Sequence, residues 1–442
     1  MKIIYDYQQA KEALKRVSID CIEVPDTIKR RIEELFGEKL TPEQAVRRIV
    51  NDVRAKGDKA VLDYTRRIDG FAFRKLEVDE DEIQNAYKKV EPQVVDALRV
   101  AAERVRAFHI LQLRHSFKDF MDGGLGQVVN PIENVGVYAP GGTASYPSTV
   151  LMTAIPARVA GVSQVIMTTP PGAKGTVHPL TLVAADIAGV DRVFKVGGAQ
   201  AIAAMAFGTQ SIPRVDKICG PGNLFVTLAK KQVYGDVDID GIFGPTETVV
   251  IADDSASPEI CAADLLAQAE HDALSAAILI TTSAELAKAV DKAVKRQLKK
   301  LERKEIAQRS IDTGSCIIVA DDIEQAIELA NFYAPEHMSL MVRDASSHIE
   351  SIRNAGGIFI GESSPEMLGD YIAGPSHVMP TGGSARFSSP LNVNDFRKIS
   401  SIVALSDVEM NALGPAAAAI ARVEGLTAHA RAVEIRLEKG GE

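Results

Sequence analysis

From about residue 135 to residue 360 the chain repeats one local pattern: a short apolar run, a glycine-rich turn, then an alanine-rich stretch at helical spacing. The apolar runs predict strands at 135–138, 165–168, 193–196, 217–219 and 248–252, then at 277–281, 316–319, 338–342 and 357–360. Helices are expected between them, at 149–159, 180–188, 199–207 and 224–233, then at 260–272, 284–301, 323–331 and 346–354. Strands this continuously apolar are buried on both faces, and strands alternating with helices pair in parallel through crossovers. The expected class is therefore α/β. The pattern runs twice in similar order, which suggests two related α/β domains, although no residue-level repeat links them.

The flanks read differently. Residues 1–37 are charged and helical in character, too short for a core. Thr41-Pro42-Glu43-Gln44 announces a helix, with Thr41 as N-cap, Pro42 in the first turn and Gln44 closing a capping box. The first quarter is mostly helical, and short strands begin near 125–129. After Pro380 a loop rich in glycine and serine leads to a helical tail from about Pro415, broken at Gly425, with Thr427 as a candidate cap. A chain of 442 residues exceeds one compact core. Its net charge of −9 and lack of a basic tract argue against nucleic acid. No apolar run reaches membrane length and the first residues carry no signal-peptide pattern, so a cytoplasmic location is expected. The four cysteines, Cys21, Cys219, Cys261 and Cys316, are scattered and form no C-x-x-C pair, which fits reduced thiols.

Several motifs carry chemistry. Gln268 and His271 are three apart near the end of the 260–272 run, so on a helix both face one object. An amide oxygen and an imidazole suit a divalent metal such as zinc, although a polar helix face has the same spacing. Tyr138-Ala139-Pro140-Gly141-Gly142, Gly197-Gly198-Ala199-Gln200 and Gly220-Pro221-Gly222-Asn223 each follow a strand. None is a G-x-G-x-x-G fingerprint. Three such turns at the carboxyl ends of one parallel sheet would nevertheless share a crevice fit for a nucleotide. Ala334-Pro335-Glu336-His337 sets a carboxylate beside an imidazole at a strand entrance, a possible acid/base pair or an ordinary polar loop. Asp370 and His377 lie in a long Gly/Pro/Ser segment of the kind that is usually functional, and Glu424 and His429 straddle Gly425 in the tail.

In order along the chain, these blocks resemble the histidinol dehydrogenase family. The likeness extends to Lys195-Val196, Gly369-Asp370-Tyr371, Gly374-Pro375-Ser376-His377, Ala385-Arg386-Phe387-Ser388 and Glu424-Gly425-Leu426-Thr427-Ala428-His429. It implies two Rossmann-like domains with parallel-sheet cores plus extended helical N- and C-terminal segments. The expected division is a helical arm at 1–37 and a discontinuous α/β domain at 38–137 and 248–390. A second α/β domain with NAD-binding turns follows at 138–247, and a helical tail at 391–442 packs on a partner subunit. The resemblance implies one zinc ion per subunit, held by Gln268, His271, Asp370 and His429, and NAD contacts at Tyr138, Gln200 and Asn223. It implies Glu336 and His337 as the acid/base pair. Substrate contacts fall on Thr246, Gln268, His271, His337, Asp370, His377, Glu424 and His429. The implied enzyme is a homodimer with shared active sites. It oxidises L-histidinol to L-histidine through the aldehyde, using NAD twice, in histidine biosynthesis. Thr246 and Ser376 stand where the family usually has Ser and often has Asn. The alternative is the same zinc and NAD chemistry on another small amino alcohol or diol. A zinc hydrolase is a rival of another class, but it has no need of nucleotide-type turns.

Overall fold

The computed structural model describes residues 1–16, 24–141 and 145–439; Cys21 and Gly142 lie outside them. Two compact units emerge. One comprises Met1–Arg114 with Ile132–Phe396, the other His115–Pro131 with Arg397–Glu442.

The first unit contains two parallel sheets. The six-stranded sheet runs in the order Lys2–Ile4, Cys316–Val319, Ala276–Thr281, Glu247–Ala252, His337–Met341, Gly357–Ile360. The Glu247–Ala252 strand is buried at all positions, which is why its sequence shows no polar alternation. The five-stranded sheet runs Arg192–Lys195, Gln164–Thr169, Asn134–Tyr138, Lys217–Cys219, Asp238–Ile239. Every pairing in both sheets is parallel. The α/β reading with parallel-sheet cores therefore holds, and three details differ. Lys2–Ile4 is an edge strand paired with Cys316–Val319, although the first residues read as helical. Residues 345–351 form a 3-10 helix where an α-helix was expected. The third difference concerns His271. The helix before it is Pro258–Ala269, so Gln268 is helical and His271 lies in the following turn. Asp272 and Ser275 compete for that backbone: Leu274 N donates to Asp272 Oδ1 at 2.9 Å and Asp272 N donates to Ser275 Oγ at 3.1 Å.

Register fixes the site. His337 pairs with Thr248 on one side and Gly357 on the other, at the amino end of the six-stranded sheet. Glu336 therefore arrives level with Glu247. Gly356 is packed so closely that a Cβ there would stand 2.5 Å from the Glu336 carbonyl oxygen.

The second unit has a three-stranded antiparallel sheet, Phe120–Asp122, Leu125–Pro131 and Arg397–Val403. Two helices follow, Asp407–Val423 and Thr427–Lys439. The first starts before the expected Pro415, because Ser406 and Glu409 form a capping box. Thr427 falls inside the last helix rather than at its cap.

Candidate active site

The amino end of the six-stranded sheet gathers polar side chains that a core would exclude unless they were paired. Gln268 Nε2 donates to Thr246 Oγ1 at 3.0 Å, and Thr246 Oγ1 donates to Glu336 Oε2 at 2.5 Å. The Glu247 N–H also donates to Glu336 Oε2, at 3.2 Å. Glu336 Oε2 lies 3.8 Å from His337 Nδ1, and His337 Nε2 lies 3.4 Å from Asp370 Oδ1. Asp370 sits on the short Glu366–Tyr371 helix, and its carbonyl oxygen is 2.7 Å from His377 Nδ1. The other nitrogen of His377 is 3.3 Å from Thr149 Oγ1. An unbroken chain of contacts thus joins Gln268, Thr246, Glu336, His337, Asp370 and His377.

Glu336 and His337 are nearly inaccessible, at 7% and 4% exposure. Burial pushes the Glu336 carboxyl up to about 7, opposed by His337 and the Thr246 hydroxyl. Burial lowers the His337 pKa, but the carboxyls of Glu336, Glu366 and Asp370 outweigh it and the net direction is up. Burial also raises Asp370, yet His337 and the other imidazoles bring it below the ordinary value. Neither ring nitrogen of His337 has a hydrogen-bond partner, since the approach to Asp370 is an ion-pair distance with poor hydrogen-bond alignment. A buried imidazole with both nitrogens unpartnered is rare enough to require a reason, of which a catalytic role is one. His271 stands exposed, though enough protein surrounds it to depress its pKa, with Asp370 pulling the other way.

The glycine-rich turns converge at the carboxyl end of the five-stranded sheet. Gly198 N donates to the Tyr138 hydroxyl at 3.1 Å, which ties the first turn to the second. Gly220 has φ +114°, and a Cβ there would lie 2.1 Å from the Tyr138 carbonyl oxygen, so only glycine lets the third turn close on the first. Gln200 is fully buried with both side-chain polar atoms unpartnered. Asn223 caps the Leu224–Val233 helix through its Oδ1.

Glu424 and His429 belong to the second unit, where both are exposed. Sequence reasoning missed Glu366, which is buried and accepts from Thr248 Oγ1 at 2.9 Å. Its signal was available: it lies four residues before Asp370, hence on the same helix face. Thr149 and the Phe359 ring, 5.8 Å from the His337 ring, carried no signal of their own. A cavity of about 1150 Å³ touches this constellation only at Thr246 and continues along Glu247, Arg16 and Phe243.

A sequence model described as Histidinol dehydrogenase matches residues 37–437. The histidinol dehydrogenase of Deinococcus radiodurans is 54% identical over 433 residues, covering 97% of this chain and 98% of that one. That of Dehalococcoides mccartyi strain CBDB1 is 50% identical over 440 residues, covering 99% and 100%. The crystal structure of histidinol dehydrogenase from Elizabethkingia anophelis superposes with a TM-score of 0.89 at 35% identity, covering 100% and 98%. The chain belongs to the histidinol dehydrogenase family. It is thereby an oxidoreductase, and the hydrolase reading falls.

Family membership directs attention to the metal. Among the described residues no group of three or more His, Cys, Asp and Glu side chains is arranged to hold an ion. In the first unit the expected donors of those types number only two, His271 and Asp370, and Gln268 adds an amide. Their chemistry fits zinc, which accepts imidazole nitrogen and hard oxygen. Beside Asp370, both ring nitrogens of the buried His337 are left without a hydrogen-bond partner, an orphaned polar group next to the expected donors. Among the described residues no helix is long and apolar enough to cross a membrane.

Proposed function

We propose that the protein is an NAD- and zinc-dependent dehydrogenase that oxidises L-histidinol to L-histidinal and then to L-histidine, the closing steps of histidine biosynthesis. The observation that carries this reading is the buried Glu336–His337 pair, wired to Thr246 on one side and Asp370 on the other in a chain of this family. Gln268, His271 and Asp370, with His429 of a second subunit, would hold zinc, which when bound orients and polarises the substrate. Tyr138, Gln200 and Asn223 would hold NAD, which when bound would supply the hydride acceptor for each oxidation.

The remaining work falls to side chains. His337 in its neutral form takes the hydroxyl proton of the alcohol as hydride leaves carbon, and the neighbouring carboxyls that raise its pKa stabilise the imidazolium that forms. Glu336 takes a proton from water as that water adds to the aldehyde, giving a hydrate that loses the second hydride. Thr246 holds one Glu336 oxygen, which leaves the other for water. His377, fixed by the Asp370 carbonyl and Thr149, and Glu424 complete the substrate contacts. In the domain scheme, 138–247 carries the NAD turns, 38–137 with 248–390 carries the catalytic pair, and 391–442 reaches the partner beyond the arm at 1–37. The second unit supports that last point: Val408, Ile420 and Val423 are 78%, 61% and 90% exposed, more apolar surface than such a tail usually leaves uncovered.

The test separates the half-reactions. Single-turnover NADH formation is followed from the alcohol and, separately, from the aldehyde. Glu336→Gln keeps the shape but cannot accept a proton. It should slow the aldehyde step by ~10²- to 10⁴-fold, the usual cost of losing a general base, and spare the alcohol step. Equal slowing of both steps would refute the division of labour.

A further inference from the structure

Arg16 lies just beyond the Tyr7–Ala13 helix, more than three hundred residues before the acid/base pair in sequence, yet its guanidinium is built into the turn that aims the pair. Its Nη1 and Nη2 donate to the two oxygens of Glu247 at 2.5 and 2.7 Å, a bidentate pairing. Its Nε donates to the Tyr333 carbonyl at 2.9 Å, and Nη2 reaches the Tyr333 and Ala334 carbonyls at 2.7 and 3.1 Å. The plane also stacks 3.9 Å from the Tyr333 ring centroid.

Both sets of bonds bear on Glu336. Ala334 has φ +54°, the left-handed region that a residue with a Cβ rarely adopts. Such a conformation persists only where its surroundings over-determine it. Arg16 binds the carbonyls of the peptides that enter and leave Ala334, and Pro335 and Glu336 follow directly. Glu247, the other partner of Arg16, donates its own N–H to Glu336 Oε2. The Glu247 carboxylate is further pinned by the Tyr333 hydroxyl and Gly382 N, both at 3.1 Å. One side chain therefore braces the backbone that delivers Glu336 and the residue that holds its carboxylate.

We infer that Arg16 is a positioning residue for the acid/base step: it sets the Glu336 carboxylate through Ala334 and Glu247 without touching substrate. The inference rests on the proposed role of Glu336. A planar fork is required, because the three donors of lysine radiate from one nitrogen and cannot pair both Glu247 oxygens while also holding the two carbonyls. Small misplacements of a catalytic group can cost on the order of 10²-fold in rate. The wide cavity that Arg16 lines gives a free guanidinium ion a route to the vacated place.

The experiment compares Arg16→Ala, Arg16→Lys, Glu336→Gln and the Arg16→Ala/Glu336→Gln double variant, all loaded with zinc and assayed with histidinol and NAD. Arg16→Ala should lose roughly 10²-fold in kcat, with far smaller movement in the KM for histidinol. Guanidinium chloride at millimolar concentration should restore part of that kcat, while equal sodium chloride should not. Arg16→Lys, which keeps the charge and the stem, should fold and remain slow. In the Glu336→Gln background the Arg16→Ala change should add little, because the residue it positions is already disabled. If Arg16→Lys folds and keeps full kcat, or if Arg16→Ala loses only thermal stability, the residue is a structural staple and the inference fails. Full additivity with Glu336→Gln also overturns it. A Glu336→Gln enzyme with undiminished kcat would instead bring down the acid/base reading itself, and this inference with it.

Discussion

Glu336 and His337 differ in what burial does to them, and that difference can be measured. In the proposed role Glu336 must be ionised to take a proton from water, and burial keeps its carboxyl protonated up to about 7. The aldehyde step should therefore lose rate as pH falls through about 7, well above the range of an ordinary carboxylate. In Glu336→Gln that descending limb should vanish from an already slow reaction. A stopped-flow pH series from the aldehyde checks it, and an unchanged limb in the variant would assign the titration to another group. His271 offers a second residue-scale prediction. It stands beside Asp370 as an expected zinc ligand, so His271→Asn should lower bound zinc per subunit, read by elemental analysis. Chelation of the unaltered enzyme should abolish activity and added zinc should restore it. Full activity in a metal-free preparation would end the zinc proposal. Residues were legible unevenly. Glu336, His337, Asp370 and His377 could be named because their local motifs resemble a family. Glu366 was missed, its one signal being its spacing to Asp370, and Arg16 had no local signal, since its role exists only after the chain folds back on itself.

At the scale of elements, the sequence was most readable where strands are buried on both faces. Residues 249–252 and 276–280 are runs of aliphatic side chains, and no competing pattern fits them. The Arg397–Val403 strand was invisible for the opposite reason. None of its seven residues is buried, so it shows neither alternation nor an apolar run. Lys2–Ile4 is too short to announce itself before it meets Cys316–Val319. Caps were legible where they are local. Thr41 and Gln44 form the expected box, with Gln44 N donating to Thr41 Oγ1 at 3.3 Å and Thr41 N donating to Gln44 Oε1 at 2.9 Å. The same signature at Ser406 and Glu409 went unread, and the tail helix was placed too late as a result. Thr41→Ala should lower stability by ~1 kcal/mol with activity unchanged, measured by denaturant unfolding. An unaltered midpoint would mean that neighbouring packing, not the cap, fixes this helix.

For the whole molecule the open element is the second unit, which carries Glu424 in the turn between its helices and His429 on the last one, and which exposes Val408, Ile420 and Val423. If His429 completes a site in a second subunit, two crippled enzymes should repair each other. Mixed under conditions that exchange subunits, His337→Ala and His429→Ala dimers should regain activity, because one site of each hybrid takes both intact residues. Hybrids that form and stay inactive would show that each subunit closes its own site. The account as a whole rests on a four-electron oxidation at one centre, and the product balance tests it most directly. L-Histidinol supplied in limiting amount with excess NAD should yield two NADH and one L-histidine per molecule consumed, with no free aldehyde trapped during turnover. One NADH with aldehyde released, or turnover of a different amino alcohol or diol in preference to histidinol, would contradict it.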